Sequence, residues 1–209
     1  VVGFLLGGYL LGRFSKEGFF KLPKSKVDSL VTYLIIGMFI GARLIYVFVY
    51  NWDYFSNHFE ELFSVWKGGL SFHGAIIGIV VAMFIFSRKN KLRFYEVSDV
   101  VGVAGAQGLL WGRIGNFING ELYGRITNST IGVIFKEGGP NPRHASQLYE
   151  GFMEGILLFF ILLLLRKRVK HYGVLTSIFI FGYGFLRFVV EFFREPDSQL
   201  GYYFEIFTM

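Results

Sequence analysis

Three arginines and one histidine lie within or at the ends of long apolar stretches: Arg43, Arg113, Arg187 and His73. Ionisable side chains are costly to place in a bilayer, so they usually face a cavity or a partner. A guanidinium group binds two phosphate oxygens at once and stays charged. Histidine has an ordinary pKa of roughly 6.5, which suits proton transfer near neutral pH. These residue types together predict a site that binds a phosphate group and moves a proton.

Polar neighbours accompany the two later arginines at helical spacing. Asn116 lies three residues after Arg113, while Glu191 and Arg194 follow Arg187 by four and seven residues. Such spacings place side chains on one helical face. The alternative is that both arginines extend toward lipid headgroups at the membrane surface. That alternative does not require an asparagine or a glutamate beside each arginine, so the neighbours favour a binding site.

His73 also has two interpretations. A single histidine in a membrane helix is commonly a hydrogen-bonded packing residue. Here Gly69, Gly74 and Gly78 flank it, and glycine lets a second helix or a substrate approach closely. This context makes His73 a candidate base.

The remaining sequence is typical of a membrane protein. Of its 209 residues, 53% are hydrophobic and 17% are charged. Several apolar stretches approach the roughly 20 residues that a bilayer-spanning helix needs. The predicted segments are residues 1–14, 29–50, 70–87, 97–118, 145–165 and 173–190. We therefore expect an all-α, polytopic integral membrane bundle with a small extracytoplasmic region.

Basic residues fall in alternate loops, which predicts the topology. The lysine- and arginine-rich loops are residues 13–26, 88–93 and 166–170. The positive-inside rule places these loops in the cytoplasm, so the loops at 51–67 and 119–143 face outward. With helix directions fixed in this way, the three arginines and His73 are all expected near the outer membrane interface. A net charge of +6 distributed over loops does not indicate a nucleic-acid partner.

Three other acidic residues have less specific patterns. Asp99, near the cytoplasmic end of its helix, could be a helix-start carboxylate or an ion-pair partner. Glu150 and Glu154 are four residues apart, so they could form a carboxylate pair or make independent hydrogen bonds. The chain contains no cysteine and no HExxH pattern, so we expect neither a metal nor a cofactor. Any thiol chemistry must use a thiol of another molecule.

Four motifs occur in the order "GGLSFHG", "GRIGNFINGELYGR", "RHASQLYE" and "RFVVEFFREPD". In these motifs the chain resembles the bacterial prolipoprotein diacylglyceryl transferases over nearly its whole length. Ala75 and Ala145 depart from the pattern, where the family usually has glycine and proline. The resemblance implies a seven-helix, multi-pass protein of the bacterial cytoplasmic (inner) membrane, with its active site toward the extracytoplasmic side.

The resemblance also implies an activity, which is the first step of bacterial lipoprotein maturation. The diacylglyceryl group of phosphatidylglycerol would pass to the lipobox cysteine of a prolipoprotein signal peptide, releasing glycerol phosphate. The implied catalytic residues are His73, Arg113 and Arg187. The implied substrate-binding residues are Arg113, Asn116, Asn119, Glu121, Gly124, Glu191, Arg194 and Asp99.

The simplest domain prediction is a single integral membrane transferase domain over residues 1–209. The chain begins within an apolar stretch and ends as another begins, so we expect it to be truncated at both ends. The alternative function is that of a non-catalytic membrane protein that binds or transports anionic phospholipids. The same arginines would serve that function, but His73 would not be needed.

Overall fold

The structure is a computed structural model, and it describes residues 1–195 except for the side chain of Lys67. The eight α-helices in this range are α1 (Val2–Lys16), α2 (Lys24–Ile45), α3 (Trp52–Phe55), α4 (Phe72–Lys89), α5 (Phe94–Asn119), α6 (Ser146–Glu150), α7 (Leu158–Leu165) and α8 (Val174–Glu191). A wide π turn, Tyr46–Tyr50, follows α2, and a second, Gly151–Leu157, joins α6 to α7. The end of the fourth motif, from Pro196, and the last apolar run lie outside the described residues.

Helices cover all six predicted apolar stretches, which confirms the all-α membrane fold. By length and composition, the helices in residues 1–195 that are able to cross a membrane are Lys24–Tyr50, Phe72–Lys89, Ser146–Leu165 and Val174–Glu191. This count of four is lower than the predicted six. The described α1 has only 15 residues, and α5 includes Glu96, Asp99, Gln107 and Arg113, which lower its mean hydropathy.

The chain divides into two compact units, and one of them is Gly12–Ser98. Glycines lie between α2 and α4 in this unit. A Cβ atom added to Gly37 would lie 2.6 Å from the Cβ of Ala82 and from the carbonyl oxygen of Gly78. One added to Gly41 would lie 2.7 Å from the Cα of Gly78. The two helix backbones therefore touch, as the glycines of α4 predict.

Arg43 fixes the loop that connects these helices. Its Nε donates to the carbonyl oxygen of Leu62 at 2.8 Å, and its Nη2 donates to that of Glu61 at 2.7 Å. Its Nη1 donates at 3.0 Å to the carbonyl oxygens of both Gly68 and Gly69. Arg43 is only 9% exposed. It therefore organises the loop instead of joining the predicted group of ligand-binding cations.

The other unit comprises Val1–Leu11 and the chain from Asp99 onward. Its helix α5 packs against the π turn Gly151–Leu157. A Cβ atom on Gly155 would lie 2.7 Å from the backbone nitrogen of Leu110, and one on Gly151 would lie 3.4 Å from the Cβ of Arg113. Small residues on the turn thus let α5 approach closely. This contact places the Arg113 side chain beside the end of α6.

Isolated antiparallel bridges organise the loop between α5 and α6. They pair Gly124 with Arg194, Ile126 with Arg143, and Val133 with Arg143. The backbone nitrogen of Gly124 also donates to the carbonyl oxygen of His144 at 2.8 Å. The loop is therefore tied both to the start of α6 and to the residues that follow α8. The prediction of one domain over residues 1–209 stays a prediction.

Candidate functional site

Five charged side chains from α5, α6, α8 and the residue segment after α8 form a continuous chain of ion pairs, here called the arginine cluster. Glu150 joins two of the arginines: Oε2 lies 2.6 Å from Nη2 of Arg113, and Oε1 lies 3.1 Å from Nη1 of Arg194. Arg194 Nε lies 3.8 Å from Oε2 of Glu191, and Glu191 also pairs with Arg187. Three guanidinium groups thus alternate with two carboxylates.

Exposure differs systematically along the arginine cluster. The side chains of Glu150, Glu191 and Arg194 are 0%, 7% and 9% exposed. The terminal arginines are more accessible, at 19% for Arg113 and 22% for Arg187. A guanidinium group has five N–H donors, and a carboxylate uses at most two of them in a bidentate pair. The two ends of the cluster therefore retain donors that an anionic ligand could reach.

The structure brings together four of the site residues predicted from sequence: Arg113, Arg187, Glu191 and Arg194. It adds Glu150, for which sequence spacing left two interpretations. Glu150 is not paired with Glu154 but shared between two arginines. Its sequence signals were its place in the motif "RHASQLYE" and its spacing from Glu154, and neither indicated its partners, which lie 37 and 44 residues away along the chain.

Glu154 lies in the π turn, one turn beyond Glu150. Its side chain is fully buried, and neither carboxylate oxygen accepts a hydrogen bond within the described part of the chain. Both Glu150 and Arg113 lie within electrostatic range of it. This carboxyl group is therefore a further member of the polar interior around the arginine cluster.

A second polar group forms where α5 ends. The side-chain nitrogens of Asn116 and Asn119 donate to Oε1 of Glu121 at 2.9 and 3.2 Å. These bonds, that from Asn116 first, lower the pKa of the exposed Glu121 carboxyl group from its ordinary value. The backbone oxygen of Glu121 accepts a bond from Gln147 at 2.7 Å. The three predicted residues therefore form one anionic group at the end of α5, and this group begins three residues after Arg113.

Gly124 and Asp99 have different positions from the other predicted residues. Gly124 is buried, and an added Cβ would lie 2.9 Å from the Cβ of His144. Asp99 accepts bonds from the backbone nitrogens of Gly173 and Thr176, each at 2.7 Å, at the start of α8. Arg187 lies roughly 20 Å further along α8 at 1.5 Å per residue. The structure does not bring Asp99 to the arginine cluster, and its predicted substrate contact stays a prediction.

His73 lies in the other unit, in the first turn of α4, and is exposed. Ser71 caps this helix, since its Oγ accepts a bond from the backbone nitrogen of Gly74 at 3.1 Å. The Nδ1 atom of His73 lies 2.9 Å from the hydroxyl oxygen of Tyr50. The imidazole is thus held at one nitrogen on an exposed helix end, and its predicted role as a base stays a prediction.

Two basic residues of the loop after α5 also support the site. Arg125 Nε donates to the carbonyl oxygen of Arg194 at 2.6 Å. Arg143 Nε donates to the carbonyl oxygen of Gly138 at 2.8 Å, and its guanidinium group pairs with Glu195. Sequence reasoning did not assign Arg143, although it begins the third motif. Both arginines bind backbone or neighbouring charge and stabilise the loop against the segment after α8.

The fold and the arginine cluster define a multi-helix membrane protein that can hold an anionic group. The family model for prolipoprotein diacylglyceryl transferase matches residues 1–209. The phosphatidylglycerol–prolipoprotein diacylglyceryl transferase of Rickettsia bellii (strain OSU 85-389) is 44% identical over 213 residues, covering 100% of this chain and 81% of that relative. The equally named protein of Pasteurella multocida (strain Pm70) is 46% identical over 204 residues, covering 98% of this chain and 76% of the relative. The chain therefore belongs to the prolipoprotein diacylglyceryl transferase family, which confirms the resemblance and makes it a transferase.

Proposed function

We propose that this chain transfers the diacylglyceryl group from phosphatidylglycerol to the lipobox cysteine of prolipoprotein signal peptides. The observation that carries the proposal is the arginine cluster. Its terminal members, Arg113 and Arg187, are the accessible ones, while the carboxylates that orient them are buried. A phosphodiester is anionic and presents two unesterified oxygens, which suits the planar donor pair of a guanidinium group.

The buried carboxylates make this arrangement suitable for binding. Glu150 and Glu191 hold the arginine side chains in place before any ligand arrives, which reduces the entropy lost on binding. Three guanidinium groups paired with two carboxylates leave the ion-pair chain with an excess of one positive charge, and a phosphodiester carries one negative charge. During reaction, negative charge develops on the leaving phosphate oxygen, and preorganised donors stabilise such charge most.

The reaction is a displacement at a glyceryl carbon. The sulfur of the substrate cysteine forms a bond to that carbon, and the carbon–oxygen bond to the phosphate breaks. The electron pair of this bond leaves with glycerol phosphate. A thiol has an ordinary pKa of roughly 8.5 and reacts as the thiolate, so a base assists near neutral pH. We assign that role to His73 and require no covalent intermediate with the enzyme.

The remaining predicted residues have supporting roles in the proposal. Asn116, Asn119 and Glu121 form a polar group that can bind the hydroxyl groups of the glycerol headgroup. Glu191 and Arg194 orient Arg187 through their ion pairs. Gly124 permits the close backbone approach that ties the loop to Arg194, and Asp99 stabilises the start of α8.

The proposal includes a location. The apolar helices place the protein in a membrane. The basic segments 88–93 and 166–170 lie at the end of α4 and directly after α7, and the positive-inside rule assigns them to the cytoplasm. We therefore assign the chain to the bacterial inner membrane, with the arginine cluster toward the extracytoplasmic side. Its partners are then phosphatidylglycerol and exported prolipoproteins.

Mass spectrometry of a lipobox peptide tests this function. The full-length protein is incubated with the peptide in phosphatidylglycerol vesicles, beside a serine-for-cysteine peptide. We expect the mass of a diacylglyceryl group on the cysteine peptide alone. Arg113→Ala and Arg187→Ala should each lower the rate by about 10²-fold or more, the cost of losing a donor to developing negative charge.

Arg88 provides the matched control for the arginine substitutions. It is exposed at the opposite end of α4 from His73 and lies over the ring of Phe84, so Arg88→Ala should keep full activity. No product from folded wild-type protein would reject the transferase proposal. Product formed at the wild-type rate by both Arg113→Ala and Arg187→Ala would reject the phosphate-binding assignment.

A further inference from the structure

His73 contacts Tyr50, the last residue of the π turn that follows α2. The hydroxyl oxygen of Tyr50 lies 2.9 Å from Nδ1 of the imidazole. Tyr50 is 56% exposed, and His73 is exposed too. A hydrogen bond between exposed groups contributes little to folding, because water replaces either partner. The main effect of the contact is therefore to orient the imidazole, and it adds little to the stability of the fold.

The backbone around His73 is held by direct contacts between α2 and α4. The backbone nitrogen of Ser71 donates to the carbonyl oxygen of Ala42 at 3.0 Å. A Cβ atom on Gly74 would lie 2.7 Å from the Cβ of Ile45, so the helices have no room to separate by a side chain. The start of α4 is thus fixed against the end of α2, which lies five residues before Tyr50.

The π turn determines where the Tyr50 side chain lies. Tyr46–Tyr50 is a wider turn than a regular α-helix would make. A π turn is rare in helices and is found frequently at functional sites. It also rotates every side chain that follows it relative to a continuous α-helix. The distortion therefore contributes to placing the Tyr50 hydroxyl beside His73.

Other ionisable groups near this helix end have contacts of their own. Arg43 of α2 binds four loop carbonyl oxygens. Glu61 of the loop accepts a bond from the hydroxyl of Tyr54, and the His58 ring stacks on the Tyr54 ring. Against His73 itself lie the Tyr50 hydroxyl and, edge to face, the Phe72 ring.

We propose that Tyr50 is a positioning residue that holds His73 in the tautomer needed for proton transfer. The inference rests on the proposed function, in which His73 accepts a proton from the substrate thiol. If Nε2 is to accept that proton, Nδ1 must already carry one, because an imidazolium donates from both nitrogens. The phenol oxygen of Tyr50 accepts the Nδ1–H bond. Tyr50 thus orients the ring and favours its protonated form during catalysis.

The test compares Tyr50→Phe with Tyr46→Phe in full-length protein, using the lipobox peptide and phosphatidylglycerol vesicles. Both substitutions remove one hydroxyl from the same π turn. The Tyr46 ring packs against Phe55 and beneath Arg43, contacts that phenylalanine retains. The measurements are kcat, KM for phosphatidylglycerol, the pH dependence of kcat/KM and the thermal midpoint.

We expect Tyr50→Phe to lower kcat about 10- to 100-fold, part of the roughly 10²- to 10⁴-fold that a general base contributes. KM and the thermal midpoint should not change, because Tyr50 holds neither the phosphate nor the fold. The acid limb of the pH profile should move to lower pH by about half a unit, since the imidazolium loses an acceptor. Tyr46→Phe should match wild type in all four measurements.

Two results would overturn the inference while leaving the transferase proposal intact. One is wild-type kcat in Tyr50→Phe. The other is a move of the acid limb to higher pH, which would show that the phenol donates to Nδ1 and that Nε2 carries the proton. Absence of product from wild-type protein would instead reject the transferase proposal, so the two failures are distinguishable.

Discussion

At the scale of single residues, Glu150 has the most constrained environment in the arginine cluster. Its carboxylate is fully buried and contacts both Arg113 and Arg194. Removing one partner of a buried ion pair typically lowers the free energy of unfolding by about 3–5 kcal/mol, because the remaining charge is left uncompensated. The residue is therefore expected to matter for stability as well as for orienting the arginines.

Glu150→Gln tests this expectation. The substitution keeps the shape of the side chain but removes its charge, so we expect a loss of about 3–5 kcal/mol in the free energy of unfolding. The measurement is thermal or denaturant unfolding in detergent. The matched control is Glu121→Gln, because Glu121 is exposed and should lose much less. Equal stability of the two variants would contradict the role of Glu150 as a shared buried partner.

Sequence reasoning identified residues with strong chemical preferences and the local partner of Arg187, Glu191, but not the partners that lie far away along the chain. Arg113 and Arg187 were predicted from residue type, position and depth, and the structure places both in one cluster. The contact of Asp99 with Thr176 joins residues 77 positions apart, and that of Arg113 with Glu150 joins residues 37 positions apart. Local spacing contains no information about such pairs, because tertiary packing alone creates them.

At the scale of helices, the close approach of α5 to the π turn Gly151–Leu157 positions Arg113. The prediction concerns Gly155→Ala, whose new Cβ would meet the backbone of Leu110. Overpacking of this kind typically lowers the free energy of unfolding by about 1–3 kcal/mol. This loss exceeds the gain in stability of up to about 1 kcal/mol that alanine gives when it replaces a helical glycine. We expect lower stability and lower transferase activity, because α5 must move away from Glu150.

Gly184→Ala is the control for this substitution. Gly184 lies in α8, and a Cβ added there has no described atom within 4 Å, so alanine should be neutral or slightly stabilising. Both variants are measured by thermal midpoint and by product formation. A Gly155→Ala protein with wild-type activity and midpoint would show that the helices tolerate the extra atom and that the contact does not position Arg113.

Helix positions were well predicted, whereas their local distortions were not. Continuous apolar runs indicated all the long helices, because burial in lipid requires both length and low polarity. The two π turns, Tyr46–Tyr50 and Gly151–Leu157, have no comparable sequence signal. They arise where packing between helices outweighs regular hydrogen bonding, and both lie next to residues of the proposed mechanism.

At the scale of the whole molecule, the alternation of basic and acidic loops predicts which loops face the cytoplasm. The absence of cysteine from the chain provides a direct test, since a single introduced thiol reports its own location. Asn128 and Lys167 are both exposed and belong to loops predicted on opposite sides. We expect a membrane-impermeant maleimide to label Asn128→Cys in intact cells, and Lys167→Cys only after permeabilisation.

Product formation by both cysteine variants would show that each remains folded. Labelling of Lys167→Cys in intact cells would contradict the predicted topology and the extracytoplasmic location of the arginine cluster. Loop charge supports the topology prediction because it reflects how the chain inserts. How a substrate reaches each unit could not be predicted, because access depends on side-chain packing that hydropathy does not describe.

The alternating charges of the arginine cluster also constrain how this chain can change over evolution. Replacing Arg113 by an apolar residue leaves Oε2 of Glu150 without its ion-pair partner, while Oε1 remains paired with Arg194. A series of substitutions that preserves stability must therefore change several of these residues together, because each variant with only some of the changes is less stable. We expect the five positions to be inherited as a block, because most single changes destabilise the protein even where the altered side chain never touches a lipid.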